Sequence, residues 1–296
     1  MDFLKAAYVY TLGVPKDAAV HLTGLSLKVI DIFWAWLRFV CAFNEYSLGE
    51  AATFELEEVE TDLTHCGKKK KADKVQHVGR MLVFASRSVD PATGKRKRPS
   101  WVPLKDKTVK AGAPPPPDHY DEVSAPLNKK LKSCVHHVDG AQANKKAHKR
   151  DEPLQGQPLL DVNHSKKQFS RFAKVPLKEV GAKLATHLAK RKSSSKTSAR
   201  FRVSTNRAEA LAGQNKVMMR RMAGGKLPSR AHKAASWLAA AHLRRSPGYE
   251  ALSTSFGVFF KTFLDTGDPV TVLDRAQGWL KAKTTDLEDC CDDSDS

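Results

Sequence analysis

The feature that most restricts the fold of this chain is the apolar segment at residues 30–43, which reads IDIFWAWLRFVCAF. On a helix turning about 100° per residue, Lys28, Asp31 and Arg38 fall on one line. Nearly every other position in the segment is apolar or aromatic. The segment therefore predicts a helix with a broad apolar surface and one narrow charged stripe, which must be covered by protein or by lipid.

Three arrangements of this helix are open. A bilayer span needs about 20 predominantly apolar residues, and a central charge costs about 2.5–3.5 kcal/mol, so Asp31 and Arg38 disfavour simple crossing. We expect a helix lying in the membrane interface with its indole rings at headgroup depth; the alternative is a core helix of a small N-terminal domain. The expected membrane-binding side chains are Ile30, Phe33, Trp34, Trp36, Leu37, Phe39 and Phe43.

The charge of the chain is segregated along its length. The formal net charge is +18, but residues 1–66 hold four basic and ten acidic side chains, a net of −6. Residues 286–296 hold six acids and no base, and residues 67–285 hold 46 bases against 16 acids, a net of +30. This excess is larger than solubility requires, and it predicts a polyanionic partner.

The densest basic segment is KRKSSSKTSARFRVSTNR at residues 190–207, which contains no acid. Its cations can displace counterions from a phosphate backbone while an aromatic ring between two arginines stacks on an unpaired base. We expect RNA, because no helix-turn-helix, zinc-finger or basic-zipper pattern is present and flexible basic segments suit RNA. The predicted RNA-binding residues are Lys190, Arg191, Lys192, Lys196, Arg200, Phe201, Arg202, Arg207, Lys216, Arg220 and Arg221.

The pattern of apolar residues predicts a mainly α protein in five segments. Residues 1–66 read as an apolar, membrane-seeking and then acidic helical region, and residues 67–94 as a short strand-like segment. Residues 95–168 are rich in proline and charge, which predicts a long disordered basic linker. Residues 169–285 predict a basic helical domain, and residues 286–296 an acidic tail.

Local patterns refine these segments. The acidic run FELEEVETDL at residues 54–63 predicts a solvated amphipathic helix, and the four prolines at 114–117 predict an extended polyproline II rod. Val180, Leu184 and Leu188 recur at helical spacing. Further helices are expected at residues 207–223, 228–247 and 267–283.

No catalytic or metal-binding signature is present. The sequence has no GxxxxGK[ST], GxSxG or HExxH motif, so we expect no enzymatic activity and no cofactor. Cys134, His136 and His137, with His148 or His119, form a single group of zinc-type ligands. Structural zinc sites usually have two separated ligand pairs, so no metal site is predicted.

A second basic motif bears on localisation. Lys95, Arg96, Lys97 and Arg98, followed by Pro99, match a nuclear-import cluster. Short clusters of this kind are also common in strongly cationic proteins. We expect the host cytoplasm with membrane association, and the nucleus as a second destination.

The chain resembles, in its organisation, the auxiliary replication proteins of tombusvirus-like plus-strand plant RNA viruses. The resemblance consists of an apolar N-terminal segment, a basic proline-broken middle and a helical C-terminal part that begins at Ser204-Thr205-Asn206-Arg207. It implies a viral protein that is anchored to host membranes by residues 30–43 and binds viral RNA through residues 190–207. A viral polymerase and self-association are the further partners that it implies.

The sequence thus predicts a non-enzymatic protein that tethers RNA to host membranes for replication. One alternative is a soluble movement protein or silencing suppressor that binds RNA in nucleus and cytoplasm, with residues 30–43 as a core helix. The other is an RNA-packaging nucleoprotein that coats RNA through self-assembly.

Overall fold

The computed structural model describes residues 2–12, 14–49, 53–70, 75–89, 94, 96–97, 99–110, 112–113, 118–191, 194–222, 234 and 236–237. The elements in chain order are α1 (Asp2–Thr11), α2 (Lys16–Thr23), α3 (Leu27–Gly49), β1 (Phe54–Glu55), β2 (Glu58–Lys70), β3 (Val75–Ser86), β4 (Ser100–Lys110), α4 (Tyr120–Lys130), β5 (Leu131–Lys132), β6 (Val135–Val138), α5 (Gln142–Arg150), β7 (Leu159–Asp161), β8 (Arg171–Pro176), α6 (Ala182–Ala189), β9 (Ser198–Val203) and α7 (Asn206–Met222).

The centre of the fold is a five-stranded mixed sheet in the order β4-β3-β2-β6-β7. The strands β2, β3 and β4 form an antiparallel meander, while β6 and β7 add to the β2 edge in parallel. Two smaller pairs accompany it: β1 with β5 in parallel, and β8 with β9 antiparallel. The prediction of a mainly α fold is therefore wrong, and the described part of the chain is an α/β structure.

The strand β3 is buried on both faces, as its near-continuous run of apolar residues requires. Leu82 and Phe84 pack in one cluster with residues of α4 and α5. Met81, Val83 and Ala85 alternate with them and pack against Ala208, Ala212 and Met219 of α7. Helices thus cover both sides of the sheet.

The N-terminal helices form a core of their own. In α3, Ile30, Trp34 and Leu37 are at most 2% exposed and pack against Ala6 and Tyr10 of α1. The indole Nε1 of Trp34 donates a hydrogen bond to the Ala6 carbonyl at 3.3 Å. The predicted helix is confirmed, and these three side chains have the burial expected of the core-helix alternative.

Two charges of the stripe on α3 contact other parts of the protein. Asp31 pairs with Lys16 of α2, and the Arg38 guanidinium lies 4.1 Å from the ring centroid of Trp237. Burial lowers the pKa of Arg38. Within the described residues no single helix has the length and apolarity of a bilayer span; α2 and the Leu27–Arg38 part of α3 meet those criteria only as a pair bent by 110°.

The predicted disordered linker at residues 95–168 is wrong. It contains the strands β4, β6 and β7 and the helices α4 and α5. Its apolar residues are few, but Leu104, Val123, Leu127, Val135 and Leu160 are each at most 8% exposed in the cores around the sheet. Mean composition underestimated this segment because its hydrophobic partners lie elsewhere in the chain.

Some of the other local predictions are confirmed, and others are wrong. The acidic run at residues 54–63 lies in β1 and the start of β2, so the helix predicted there is wrong. The strand expected in residues 67–94 is confirmed by β3, and the helices by α6 and α7. The prolines at 114–117, the helix at 267–283 and the tail at 286–296 lie outside the described residues, as does the helix at 228–247 apart from positions 234, 236 and 237.

A buried ion cluster joins β3, β4 and α4. The side chain of Arg80 is fully buried, and its guanidinium lies 2.6 Å from Asp118 Oδ1 and 2.7 Å from Glu122 Oε1. It also donates to the Lys105 carbonyl at 2.8 Å. Burial opposes ionisation of Glu122, but the hydrogen bonds from Arg80 and the His119 backbone bring its pKa down to about 2.

We expect Arg80→Met to destabilise the protein by at least about 2 kcal/mol in urea unfolding. Removing one member of a buried ion pair costs about 3–5 kcal/mol, and here Lys107, 3.1 Å from Glu122, offsets part of that cost. The exposed Lys149→Met is the control and should shift the free energy of unfolding by less than about 0.5 kcal/mol. Equal stabilities of the two variants would contradict the proposed importance of this cluster.

Candidate nucleic-acid interface

The strands β8 and β9 present a basic aromatic surface. In their antiparallel register, Phe172 lies opposite Arg202 and Lys174 opposite Arg200, and all four side chains are exposed. Phe172 is 65% exposed, and the Arg200 guanidinium lies 4.6 Å from its ring centroid. We call these four side chains the ribbon face.

The opposite side of the same strand pair is core. Ala199, Phe201 and Val203 are at most 1% exposed and pack with Leu184 and Leu188 of α6. The stacking role predicted for Phe201 therefore needs correction, because this ring is not accessible to a base. Strand alternation turns every second residue inward, so Phe201 is buried while its neighbours Arg200 and Arg202 are exposed.

The exposed aromatic residue that sequence reasoning missed is Phe172. The alternation of RFAKVP in β8 carried the signal, since Ala173 and Val175 mark the inner side. Phe169, in the loop before β8, is also 57% exposed and packs near His164, with ring centroids 5.4 Å apart. Both rings lie at the start of residues 169–285, which were predicted to form a basic helical domain.

Beside the ribbon face is a cleft of about 340 Å³ at the N-terminus of α7. We call it the arginine cleft. Arg202 belongs to both surfaces, so the cleft and the ribbon face are continuous. The lining residues are Glu60, Arg87, Arg96, Arg202, Ser204, Asn206 and Arg207.

One carboxylate organises the cleft. Glu60 Oε2 accepts hydrogen bonds from the backbone N–H groups of Arg207, at 2.7 Å, and Ala208, at 3.1 Å. Its other oxygen lies 2.9 Å from Arg87 Nε. Arg87 in turn donates to Ser204 Oγ at 3.0 Å and to the Arg202 carbonyl. Glu60 and Arg87 therefore hold the end of β9 and the start of α7 together.

The remaining arginines are not neutralised to the same degree. Arg207 Nε is buried and has no hydrogen-bond partner among the residues that the structure describes. Burial, and then the charge of Arg96, lower the pKa of Arg207, while the carboxylate of Glu60 opposes the shift. Arg96 and Arg202 are exposed at the rim. The cleft thus has a positive potential that suits an anion with several acceptor oxygens.

A second carboxylate supports the site from below. Glu58 Oε1 lies 2.6 Å from Arg191 Nη1, and Glu58 Oε2 lies 3.2 Å from His137 Nε2 and 3.4 Å from Arg87 Nη1. Burial opposes ionisation of Glu58, but the interactions with His137 and Arg191 bring its pKa down to about 2. The guanidinium of Arg191 also lies 4.8 Å from the Phe201 ring centroid, so Arg191 supports the ribbon from its inner side.

The structure brings together only part of the predicted RNA-binding set. Arg200, Arg202 and Arg207 meet at this surface, and Arg87 and Arg96 join them from distant parts of the chain. Lys216, which is half-buried, and the exposed Arg220 lie further along α7; burial lowers the pKa of Lys216. Lys190 and Lys196 are exposed, whereas Lys192 and the side chain of Arg221 lie outside the described residues.

The residues of the other predicted sites also lie in different surroundings rather than together. In the nuclear-import cluster, Arg96 lines the arginine cleft and Lys97 pairs with Glu57 at 2.7 Å, while Lys95 and Arg98 are outside the description. Of the predicted membrane-binding residues that are not in the core, Phe33 and Trp36 are half-buried. The side chains of Phe39 and Phe43 are not among those described.

No protein-family model matches the chain, and neither a curated protein nor a solved structure matches it significantly. The resemblance to the auxiliary replication proteins therefore stays a prediction. Within the described ranges, no group of three or more His, Cys, Asp or Glu side chains could hold a metal ion.

The low pKa of Glu58 predicts a pH dependence of stability. Because ionised Glu58 is stabilised only in the folded state, its contribution is present above about pH 4.5 and is lost as the pH falls toward about 2. We expect Glu58→Gln to lower the free energy of unfolding at pH 7 and to make its decrease between these pH values shallower than in the wild type. The exposed Glu152→Gln is the control, and a Glu58→Gln curve parallel to wild type would contradict the assignment.

Proposed function

We propose that this protein binds single-stranded RNA across the ribbon face and the arginine cleft. The observation that carries the proposal is the exposed pair of Phe172 and Arg200, 4.6 Å apart, beside a cleft lined by four arginines. A single-strand binding surface combines a basic track for the backbone with aromatic rings for unpaired bases. The chemistry of the ribbon face matches both requirements.

The shape of the surface favours an unpaired strand over a duplex. Successive outward side chains of a strand are about 6.6–6.8 Å apart, so Phe172 and Lys174 can contact a base and a neighbouring phosphate. In A-form duplex RNA the bases are stacked on one another, so the duplex offers no free base face to Phe172. The proposal involves no catalytic step, in agreement with the expectation of a non-enzymatic protein.

The test is fluorescence anisotropy with a 12-nucleotide single-stranded RNA. Phe172→Ala should weaken binding roughly 5- to 100-fold, since loss of one base stack costs about 1–3 kcal/mol. Arg202→Ala should weaken binding and reduce the slope of log K against log salt by about 1, because one phosphate contact is lost. Tyr8→Ala removes an aromatic residue of similar exposure, 55%, from the N-terminal helices and should bind like the wild type. Equal binding by Phe172→Ala and Tyr8→Ala would contradict the proposal.

We further propose that the N-terminal helices attach the protein to lipid, through side chains other than those first expected. Ile30, Trp34 and Leu37 serve the core, but five large apolar side chains of α1 to α3 and their connections are 47–61% exposed. Exposed apolar residues grouped on one small unit are typical of an interaction surface. These residues are Tyr8, Leu12, Leu22, Leu27 and Ile32.

Flotation with lipid vesicles after a high-salt wash tests this attachment. The wild type should float, and Leu22→Glu/Leu27→Glu should remain at the bottom while keeping its thermal unfolding transition, because both side chains are exposed. Glu152→Gln serves as a neutral surface control. If the wild type stays at the bottom, the tethering role fails and the soluble RNA-binding alternative, a movement protein or silencing suppressor, takes its place.

A further inference from the structure

We propose that the arginine cleft receives the terminal phosphate monoester of an RNA strand, while the adjoining unpaired nucleotides lie on the ribbon face. This inference rests on the proposed RNA binding and adds a preference for a phosphorylated strand end. It is carried by the charges, the donors and the size of the cleft.

The positive charge of the cleft favours an anion with more negative charge than a backbone phosphate. Four guanidinium groups and one carboxylate, that of Glu60, line the cleft, and Glu58 below it is shared among Arg87, Arg191 and His137, so the positive charge is only partly compensated. Glu60 is already bound to Arg87 and to two backbone N–H groups of α7. An internal phosphodiester carries a single negative charge, whereas a phosphate monoester carries about −1.5 to −2 near neutral pH. The terminal group therefore neutralises the cleft better.

The donors of the cleft match three-oxygen recognition. Arg207 Nε is a buried donor without a hydrogen-bond partner in the described part of the chain, and a buried donor that stays unsatisfied is unfavourable. Arg96 and Arg202 reach the same space from the rim, so guanidinium groups approach from different elements. Such planar groups bind phosphate oxygens in pairs of parallel hydrogen bonds. An anion between Arg96 and Arg207 would also relieve the repulsion that lowers the pKa of Arg207.

The size and position of the cleft favour a strand end. Its volume of about 340 Å³ is near the lower limit of small-molecule sites, about 300–1,000 Å³, and suits one phosphorylated nucleotide. Arg202 connects it directly to the ribbon face, whose exposed Phe172 offers a stacking position for a neighbouring base. This aromatic neighbour favours a nucleic acid over a phosphorylated lipid headgroup as the source of the phosphate.

The experiment compares three internally labelled RNA decamers of one sequence, with a 5′-phosphate, a 3′-phosphate or hydroxyl groups at both ends. We expect the wild type to bind one of the phosphorylated decamers at least about tenfold more tightly than the hydroxyl form. Arg96→Ala and Arg207→Lys should reduce this ratio to near one. Arg200→Ala, a matched change on the ribbon face outside the cleft, should weaken binding of all three decamers and keep the ratio.

Each outcome decides between the two proposals. Equal binding of the three decamers by the wild type overturns the terminal-phosphate inference and leaves RNA binding intact. No binding of any decamer overturns both. A preference that persists in Arg96→Ala and in Arg207→Lys locates the phosphate elsewhere and also overturns the inference. Thermal unfolding of each variant checks folding, and Arg96→Ala decides alone if Arg207→Lys does not fold, since the Arg96 side chain is exposed.

Discussion

The candidate site depends on the buried carboxylate of Glu60. A buried carboxylate is tolerated only when it is paired and hydrogen-bonded, and the partners of Glu60 come from two distant parts of the chain. It joins the central sheet, through β2, to the first turn of α7 and to Arg87 after β3. Arg87 then fixes the end of β9 through the Arg202 carbonyl and Ser204. The positions of Arg87, Arg202 and Arg207 in the cleft follow from this one set of contacts.

The same principle explains why a chain with 28% charged residues has a folded interior where its composition predicted a linker. Arg80 and Glu58 are buried in pairs as well, and such partners are distant in sequence. Arg80 and Asp118 are 38 residues apart, and Glu60 and Ala208 are 148 residues apart. A mean hydropathy over residues 95–168 counts Asp118 and Glu122 as solvated, although both neutralise Arg80 inside the fold. The linker prediction failed for this reason.

The periodicity of apolar residues predicted the elements that depend on interactions between residues close in sequence. The sequence correctly predicted the helix at residues 30–43, the strand β3 and the helices α6 and α7. The direction of each side chain on β8 and β9 could also have been predicted, because buried and exposed positions alternate in RFAKVP and SARFRV. That alternation identifies Phe172, and not Phe201, as the accessible ring. The cleft could not be predicted from the sequence, since only the sheet topology brings Arg87 and Arg96 next to Arg202 and Arg207.

Core packing and membrane binding were predicted as alternatives for α3, but one helix can have a side for each. A helix that is apolar on nearly all sides cannot be covered completely by the two short helices α1 and α2. Ile30, Trp34 and Leu37 take the side that faces α1, and Ile32, on the opposite side of the helix, remains 49% exposed. Arg38 lies over Trp237 and Asp31 pairs with Lys16, so two charges of the stripe have partners within the protein. In the lipid attachment that we propose, core packing and lipid contact use different sides of this one helix.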